Sequence, residues 1–400
     1  MQHALATRFA IAALSLVLLW RIVQVNAVLY EDDGRPRLPV AAGSATLPPT
    51  PAAEREALAA VLRDNPAQVA ALLGLAREYE RGPDSSLVGP IYATALSLAP
   101  LDRDVLYASA AFYLRSGQRE QAIALLARLV DHYSESRERV FPVLAASLAS
   151  GQDAAAWQAL LAQDAPWLGA FVVATCRRGT DPLLLAPIVA KRAALGRTTQ
   201  EETSCLVDRL RVANRWSQAY QVWLNSLPRE RLANVGLVFN GAFEYAPANA
   251  GFDWIADLGA ERQTGHVVEL ATGPGVQGKR ALRVTYNGRR QSGVPIAQYL
   301  ALAPGTYDLS ASGRPDGLRL GKGVQWMVRC VADGVPGVAI ASSERFVGSS
   351  EWRPFSFEIV VPDRCAGQVL RLELAGADEG AAYLSGVVWF DGIVLRRRAR

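Results

Sequence analysis

The stretch L-V-F-N-G-A-F-E-Y-A-P-A-N-A-G-F-D-W, residues 237–254, divides this 400-residue chain into two kinds of sequence. Before it, alanine and leucine recur at helical spacing. After it, short apolar runs alternate with Gly, Pro and Asn turns, which is typical of strands. The apolar run 235–239 ends at the turn pair Asn240-Gly241, so it predicts the first strand of a new domain. We therefore expect a helical half followed by a strand half.

The overall composition is that of a globular protein with more than one core. Four hundred residues are too many for a single ordinary core, so two domains are expected. Half of the residues are hydrophobic, and a fifth are charged. The net charge is +4, and the basic tail 397–400 with Arg396 carries four of the positive charges. The rest of the chain is nearly neutral, so no nucleic-acid partner is indicated. The tail is either solvated or in contact with anionic lipid or polymer.

The four cysteines fall in two pairs, Cys176 with Cys205 in the helical half and Cys330 with Cys365 in the strand half. Because the chain has no C-x-x-C motif, a zinc or thioredoxin-type site is not indicated. In an oxidising compartment, two disulfides within their own domains are the natural interpretation. The three histidines are too widely spaced in sequence to suggest a histidine-based metal or acid–base site.

Residues 1–30 form an apolar segment with Arg8 near its start and three acidic residues just after its end. At about 1.5 Å per residue, Phe9–Tyr30 is long enough to cross a hydrocarbon core of about 30 Å. It therefore predicts a single-pass anchor in an inner membrane. The alternative is a signal peptide cleaved near Ala27, which would give a secreted protein. In both cases the flanking charges place the rest of the chain across the membrane, in the periplasm.

A proline-rich linker, residues 31–51, precedes helical sequence over residues 52–232. Tyr79 and Tyr113 lie 34 residues apart, as do Ala76 and Ala110. This period, with small residues at fixed offsets, resembles that of tetratricopeptide repeats. The resemblance implies an all-α solenoid whose concave surface binds a protein partner. The alternative is a plain helical array that spaces the anchor from the second domain.

Residues 233–396 carry several short strand patterns separated by turns, which predicts an all-β sandwich. Three segments then carry a more specific likeness: Asn240–Glu244, Pro304–Tyr307, which follows Gln298 and Leu300, and Trp389–Leu395. In this order they resemble carbohydrate-binding modules with the galactose-binding-like jelly roll. The order of anchor, repeats and sandwich also resembles membrane-anchored accessory proteins of bacterial exopolysaccharide production.

The resemblance implies a structural calcium ion where the first and last strands meet, and the matching carboxylates are Glu244 and Asp391. Calcium takes several oxygen ligands, which two carboxylates and backbone carbonyls can supply. The alternative is that both carboxylates make turn hydrogen bonds without a metal.

Sugar recognition needs aromatic rings that face solvent beside hydrogen-bonding groups. Trp254 and Tyr299 stand beside polar neighbours, so we predict them as the ligand-binding residues. Trp326 and Trp389 lie inside apolar runs and are interpreted as core packing.

Residues typical of catalysis do not stand together in the sequence. Asp253 and Asp257 flank Trp254 without a context that would tune their acidity, and Gly273-Pro274-Gly275 is a turn rather than a phosphate loop. The sequence therefore predicts a non-enzymatic, membrane-tethered periplasmic adaptor whose sandwich contacts polysaccharide or protein. The alternatives are a structural assembly factor without glycan affinity and a polysaccharide-modifying enzyme.

Overall fold

The computed structural model describes residues 51–82, 85–259, 264–273, 275, 277–332, 334–376 and 383–398. The chain divides into two compact units, one up to Ala165 and one from Pro166. The predicted anchor (1–30) and nearly all of the predicted linker (31–51) lie outside the described residues. Within the described residues no helix is long and apolar enough to span a membrane.

The first unit is all-α in its described part. Its helices are α1 Pro51–Asp64, α2 Val69–Arg81, α3 Val88–Leu98, α4 Arg103–Arg115, α5 Arg119–His132, α6 Arg137–Ser150 and α7 Ala154–Gln163, with a short 3-10 turn at Ser134–Ser136. Helices α2, α4 and α6 begin 34 residues apart, which is the period seen in the sequence. Asp102 caps α4 by accepting hydrogen bonds from the N–H groups of Asp104 and Val105.

Small residues lie where these helices cross. Ala76, Ala95, Ala110 and Ala122 are each 0% exposed, so the backbones of adjacent helices approach closely there. The helical character of this region is as predicted. That the helices form a tetratricopeptide solenoid remains a prediction.

An ion pair between a partly exposed arginine and a buried carboxylate also follows the 34-residue period. Arg119 donates two hydrogen bonds of 2.9 Å to the carboxylate of Asp153. Asp153 also accepts a hydrogen bond from Ser147, whose hydroxyl accepts one from the indole N–H of Trp157. The Arg119 guanidinium lowers the pKa of Asp153, because its hydrogen bond favours the ionised carboxylate. The pair thereby ties α5 to the turn before α7.

The second unit begins with more helices: α8 Leu168–Arg177, α9 Pro182–Ala194, α10 Gln200–Val212, α11 Trp216–Asn225 and the short α12 Arg229–Leu232. Helix α10 starts with a capping box between Thr199 and Glu202. The side chain of Glu202 also pairs with Arg192, and both are buried. A disulfide joins Cys176 of α8 to Cys205 of α10, so this predicted pairing is confirmed.

Two five-stranded antiparallel sheets follow among the residues that the structure describes. The first has the order β1-β4-β9-β6-β7, and the second has the order β2-β3-β10-β5-β8. The strands are β1 Trp254–Ile255, β2 His266–Ala271, β3 Ala281–Arg290, β4 Ala297–Leu300, β5 Gly305–Arg319, β6 Val324–Ala332, β7 Val335–Ser342, β8 Arg353–Val361, β9 Gly367–Leu374 and β10 Tyr383–Arg397.

One hydrophobic core fills the space between the sheets. At its centre Trp326 lies 5.8 Å from Trp254 and 5.3 Å from Phe390, measured between ring centroids. Alternate residues of β3, β9 and β10 point into this core, as the period of a half-buried strand requires. The disulfide Cys330–Cys365 joins β6 to the turn before β9, which confirms the second predicted pairing.

The predicted first strand at 235–239 is wrong. This segment has no strand pairing, and the side chain of Gln298 takes the place of a neighbouring strand. Gln298 accepts a hydrogen bond of 3.0 Å from the N–H of Phe239 and donates one of 2.9 Å to its carbonyl. Because a buried side-chain amide satisfies the backbone of Phe239, no ladder partner is needed at this point.

Candidate functional site

Trp254, predicted to bind ligand, lies in the core instead. Its side chain is 0% exposed, and its indole N–H donates to the carbonyl of Asn240 at 3.0 Å. Phe243 packs against it with ring centroids 5.2 Å apart. Since neither face of the indole reaches solvent, Trp254 is not a surface on which a sugar could stack. The sequence prediction for Trp254 is corrected accordingly.

Tyr299 lies on the opposite face of the same sheet, because it alternates with the buried Gln298 and Leu300 along β4. The guanidinium carbon of Arg211 lies 3.8 Å from the centre of its ring, and the ring of Trp216 lies 6.1 Å away. Both residues come from the α10–α11 hairpin, which packs on the outer face of this sheet. Tyr299 is therefore half-buried in an intramolecular contact.

Two glycines show how closely the α10–α11 hairpin approaches the sandwich. A Cβ atom at Gly367 would lie 1.8 Å from the indole of Trp216. A Cβ atom at Gly251 would lie 2.2 Å from the indole of Trp223, and Gly251 also has a positive φ. Arg211 donates a hydrogen bond of 3.1 Å to the carbonyl of Gly251. The hairpin and the sandwich thus share a closely packed interface within the second unit.

The structure brings the two predicted calcium ligands together. Glu244 accepts hydrogen bonds from the N–H groups of Lys279 (2.7 Å) and Arg280 (3.4 Å). Asp391 accepts them from the N–H groups of Gln277 (2.9 Å) and Gly392 (2.7 Å). Both carboxylates therefore face the segment that leads into β3. Burial raises the pKa of Asp391, and the nearby charge of Glu244 raises it further.

The two carboxylates are ligands of the kind that calcium takes. The negative charge of Glu244 adds to the effect of burial in raising the pKa of Asp391, and a divalent cation would offset this repulsion. Each oxygen that accepts one N–H keeps a second lone pair for a metal. No group of three or more His, Cys, Asp or Glu side chains that could hold a metal occurs among the described residues. A calcium site at this point would need backbone carbonyls as its other ligands.

Asp253, one of the carboxylates weighed for catalysis, is held by its own loop. It accepts hydrogen bonds from the N–H groups of Ala248 (3.0 Å) and Trp254 (2.7 Å), and it lies 3.5 Å from Arg231. Burial raises its pKa in spite of these hydrogen bonds. The Asp253 carboxylate therefore stabilises the loop 248–254 by hydrogen bonds to its backbone.

Trp389 lies on the outer face of the second sheet, between the core residues Val388 and Phe390. Its cross-strand neighbours are Arg283 on β3 and Arg314 on β5. In the same row Arg283 forms an ion pair of 3.0 Å with Glu269 on β2. We call these four residues, Glu269, Arg283, Trp389 and Arg314, the Trp389 row.

The Trp389 row combines an aromatic ring with charged groups. Its four strands span three inter-strand spacings, or about 14 Å. The guanidinium carbon of Arg283 lies 5.5 Å from the centre of the Trp389 ring. Gly273 approaches the far edge of the indole, where a Cβ atom would lie 3.3 Å from the ring. Serine and threonine side chains continue the same outer face at Thr285, Ser310, Ser312 and Ser356.

The sequence prediction for Trp389 as core packing is wrong, because its side chain is only half-buried and points away from the core. The run 387–390 is wholly apolar, which hides the alternation of the strand. The neighbouring strands β3 and β5 do show that this face of the sheet meets solvent, since polar residues alternate with apolar ones in both.

A cleft of about 770 Å³ lies inside the second unit, between α10, the α11–α12 region and the loop 246–251. Hydroxyl and small side chains line much of it, including Thr199, Thr203, Ser204 and Ser226. Arg231 and Glu230 lie at its α12 side.

No protein-family model matches this sequence, and no curated protein matches it. Among solved structures, a CBM4 structure is similar at 17% identity over 40% of this chain and 99% of its own, with a TM-score of 0.30. The CBM22-1 xylan-binding domain of Xyn10C from Paenibacillus barcinonensis has 14% identity over 40% of this chain and 94% of its own, with a TM-score of 0.27. TmCBM61, solved in complex with beta-1,4-galactotriose, has 13% identity over 41% of this chain and 99% of its own, with a TM-score of 0.26. At these sequence identities and TM-scores, structural similarity does not show that this chain binds the same ligand.

Proposed function

We propose that this protein is a non-enzymatic adaptor whose sandwich binds polysaccharide along the Trp389 row. The observation that supports this is a half-buried tryptophan in the middle of a sheet face, flanked on both sides by arginines. A pyranose presents an apolar CH face and a polar rim. The indole suits the first, and the charged and hydroxyl groups beside it suit the second.

The helical repeats have a different role in this proposal. They hold a protein partner, and the 770 Å³ cleft beside α10 supports this by offering space and hydrogen-bonding groups for an extended segment. We further propose that residues 1–30 tether the chain to the inner membrane and that the two disulfides reflect an oxidising periplasm. Exopolysaccharide assembly or export is the process that unites these parts.

One observation favours a purely structural assembly factor as the second candidate. The outer face of the first sheet is engaged by the protein's own α10–α11 hairpin at Tyr299 and Gly367. A sandwich that uses one face to hold its helices has at least one structural function. The two candidates differ in whether the second face binds glycan.

The deciding experiment is affinity electrophoresis of the full chain in gels that contain neutral or acidic polysaccharides. We expect retardation by at least one polymer, and Trp389→Ala should weaken it by about tenfold or more, as for a central aromatic contact. Tyr383→Ala is the matched control, because Tyr383 is an exposed aromatic on the same strand but outside the row.

Two results would overturn the glycan proposal. One is the absence of retardation by every polymer although the protein is folded. The other is retardation that Trp389→Ala and Tyr383→Ala reduce equally. Either result would leave the structural assembly factor as the better candidate. Thermal unfolding of each variant shows whether the fold is intact.

A further inference from the structure

One end of the second sheet carries a surface patch that the proposed function does not use. Along β10, Leu384 points into the core, so the side chains of Tyr383 and Ser385 point to the outer face. Tyr383 pairs with Arg290 on β3, and Ser385 pairs with Arg319 at the end of β5. Because cross-strand partners lie on the same face, these side chains form one surface.

Leu320 follows Arg319 in the turn that leaves β5, and it completes this patch. Its side chain reaches back across β10, because its Cδ1 atom would lie 4.0 Å from a Cβ atom at Gly288 of β3. The Cβ atom of Ser385 would lie 3.8 Å from the same point. Arg289 follows Gly288 and is exposed. We call five residues the basic tip: Arg289, Arg290, Arg319, Leu320 and Tyr383.

The conformation of Leu320 is unusual for a leucine. Its side chain is 57% exposed, and its φ of 63° lies in the left-handed region, which a bulky residue rarely adopts. Glycine or asparagine would fit this backbone with less strain and would expose no apolar side chain. Packing inside the protein therefore does not account for a leucine at this position, whereas an external apolar partner would. The exposed ring of Tyr383 adds to the same surface.

The three arginines make the basic tip positively charged. All three are exposed, and none of them forms an ion pair within the part of the chain that the structure describes. By contrast, Arg283 on β3 pairs with Glu269. Asp378 and Glu379, which precede Tyr383 in the sequence, lie outside the described residues. The described part of this surface thus presents unneutralised positive charge beside apolar side chains.

This combination defines the chemistry of the partner. Positive charge attracts an anionic surface, and an exposed leucine gains free energy by entering an apolar phase. A bilayer with anionic lipids offers both, because its phosphate groups lie directly above its acyl chains. Tyrosine favours this boundary, since its ring is apolar and its hydroxyl polar. A soluble polyanion would leave Leu320 in water, so a lipid surface is the better match.

From these observations we infer that the basic tip docks on an anionic membrane surface. Leu320 and Tyr383 enter the headgroup region, and the three arginines contact lipid phosphates. Two apolar side chains bind a bilayer only weakly, so this contact is reversible and does not replace an anchor. The inference goes beyond the proposed function and does not depend on polysaccharide binding at the Trp389 row.

The test measures the depth of residue 320 in a bilayer. All four cysteines form disulfides, so Leu320→Cys in the full chain provides one free thiol for a nitroxide label. Electron paramagnetic resonance compares collisions of the label with oxygen, which concentrates in lipid, and with a nickel complex, which stays in water. The vesicles contain phosphatidylcholine alone or with an equal part of phosphatidylglycerol. Because this depth is local, insertion of residues 1–30 does not by itself produce it.

We expect the ratio of oxygen to nickel collisions at residue 320 to rise by about threefold or more on the anionic vesicles. It should not change on phosphatidylcholine alone, and salt should reverse the rise because exposed charges are screened. Val338→Cys is the matched control, because Val338 is 77% exposed on β7, opposite the second half of β6. Equal immersion of both labels, or no change at residue 320, would overturn the inference.

Two double variants test the arginines with the same label at residue 320. Arg290→Gln with Arg319→Gln should abolish the change, whereas Arg364→Gln with Arg396→Gln should keep it. Arg364 precedes β9 and Arg396 lies near the end of β10, so both are far from the basic tip. All four arginines are exposed, so each variant should fold, and thermal unfolding verifies this. Equal loss in both double variants would contradict a role specific to the basic tip.

A soluble polyanion is the competing partner for this surface. Inorganic polyphosphate is the probe, and it should leave the label at residue 320 accessible to the nickel complex. If polyphosphate protects the label as well as the anionic vesicles do, the lipid assignment is overturned. Failure of the polysaccharide experiment would not alter these results, so the two proposals are tested separately.

Discussion

The guanidinium of Arg211 stacks on the ring of Tyr299, with 3.8 Å between the guanidinium carbon and the ring centre. Arg211 comes from helix α10 and Tyr299 from strand β4. A helical side chain therefore covers an aromatic ring that would otherwise face solvent. Such a contact is worth about 0.5–2 kcal/mol, depending on how far the cation is desolvated. It is part of the interface that joins the last helices to the sandwich in one compact unit.

Gly367→Ala should destabilise this unit, because its Cβ would lie 1.8 Å from the indole of Trp216 and backbone or ring must move. We expect a loss of about 1–3 kcal/mol in the free energy of unfolding, as for an overpacked core position. Urea unfolding followed by tryptophan fluorescence measures it. Gly337→Ala in the same sheet is the control, since the nearest atom to its Cβ would be 3.5 Å away. Equal stability of the two variants would contradict the close approach.

Loss of the disulfide Cys330–Cys365 should destabilise the sandwich by about 3–4 kcal/mol, because the bond closes a loop of 35 residues. The change is the double variant Cys330→Ser, Cys365→Ser, and thermal unfolding measures the result. The matched comparison is Cys176→Ser, Cys205→Ser, whose loop of 29 residues predicts a similar loss. An unchanged unfolding temperature in either double variant would contradict the structural role of that bond.

Calcium should stabilise the sandwich through Glu244 and Asp391. At a free concentration of about one hundred times its dissociation constant, the expected gain is about 2.7 kcal/mol. This corresponds to a rise of about 5–10 °C in the unfolding temperature of a unit of this size. The measurement is calorimetry with calcium and then with a chelator.

Glu244→Gln should abolish this gain, whereas Glu351→Gln, at an exposed carboxylate, should keep it. A rise of the same size in both variants would show that calcium binds elsewhere. The absence of any rise in the wild type would favour the alternative that the two carboxylates serve only as turn acceptors.

His266 should make the stability of the sandwich depend on pH. Burial lowers its pKa below the ordinary value of 6.5, so below that value the unfolded chain binds a proton before the folded one does. The contribution of His266 to the free energy of unfolding is therefore complete above its pKa in the unfolded chain. It is lost as the pH falls from that value to the lower pKa of His266 in the folded protein. Denaturant midpoints measured from about pH 8 to about pH 5 test this.

His266→Gln should flatten that pH dependence, and His132→Gln on helix α5 should not. Asp253 and Asp391 act in the opposite direction, because burial raises the pKa of each and stability then falls as pH rises through their own window. The comparison of His266→Gln with the wild type removes their contribution. Parallel pH profiles for these two proteins would contradict the assignment to His266.

Local patterns predicted most of the strands but not all of them. The runs that became β3, β6, β8 and β9 alternate or carry β-branched and aromatic residues, and the structure places strands there. Strand β7, Val335–Ser342, carries no clear strand pattern, because its proline, glycine and alanines have little strand preference. It is extended because β6 pairs with it, which is a tertiary effect. The prediction of a strand at 235–239 failed for the converse reason, since a glutamine side chain replaces its partner.

The change from helix to strand and the two disulfide pairs could be predicted from sequence alone, because periodicity, turn residues and cysteine positions are local properties. The resemblance also placed Glu244 and Asp391 together, since both belong to short segments. The exposure of each aromatic ring was decided only by tertiary structure. Trp254 is buried because two sheets close over it. Tyr299 is half-buried because Arg211 lies 3.8 Å from its ring centre, and Trp389 is half-buried on the outer face of a sheet. Strand alternation assigns a residue to a face, but which elements cover that face depends on packing between segments far apart in the chain.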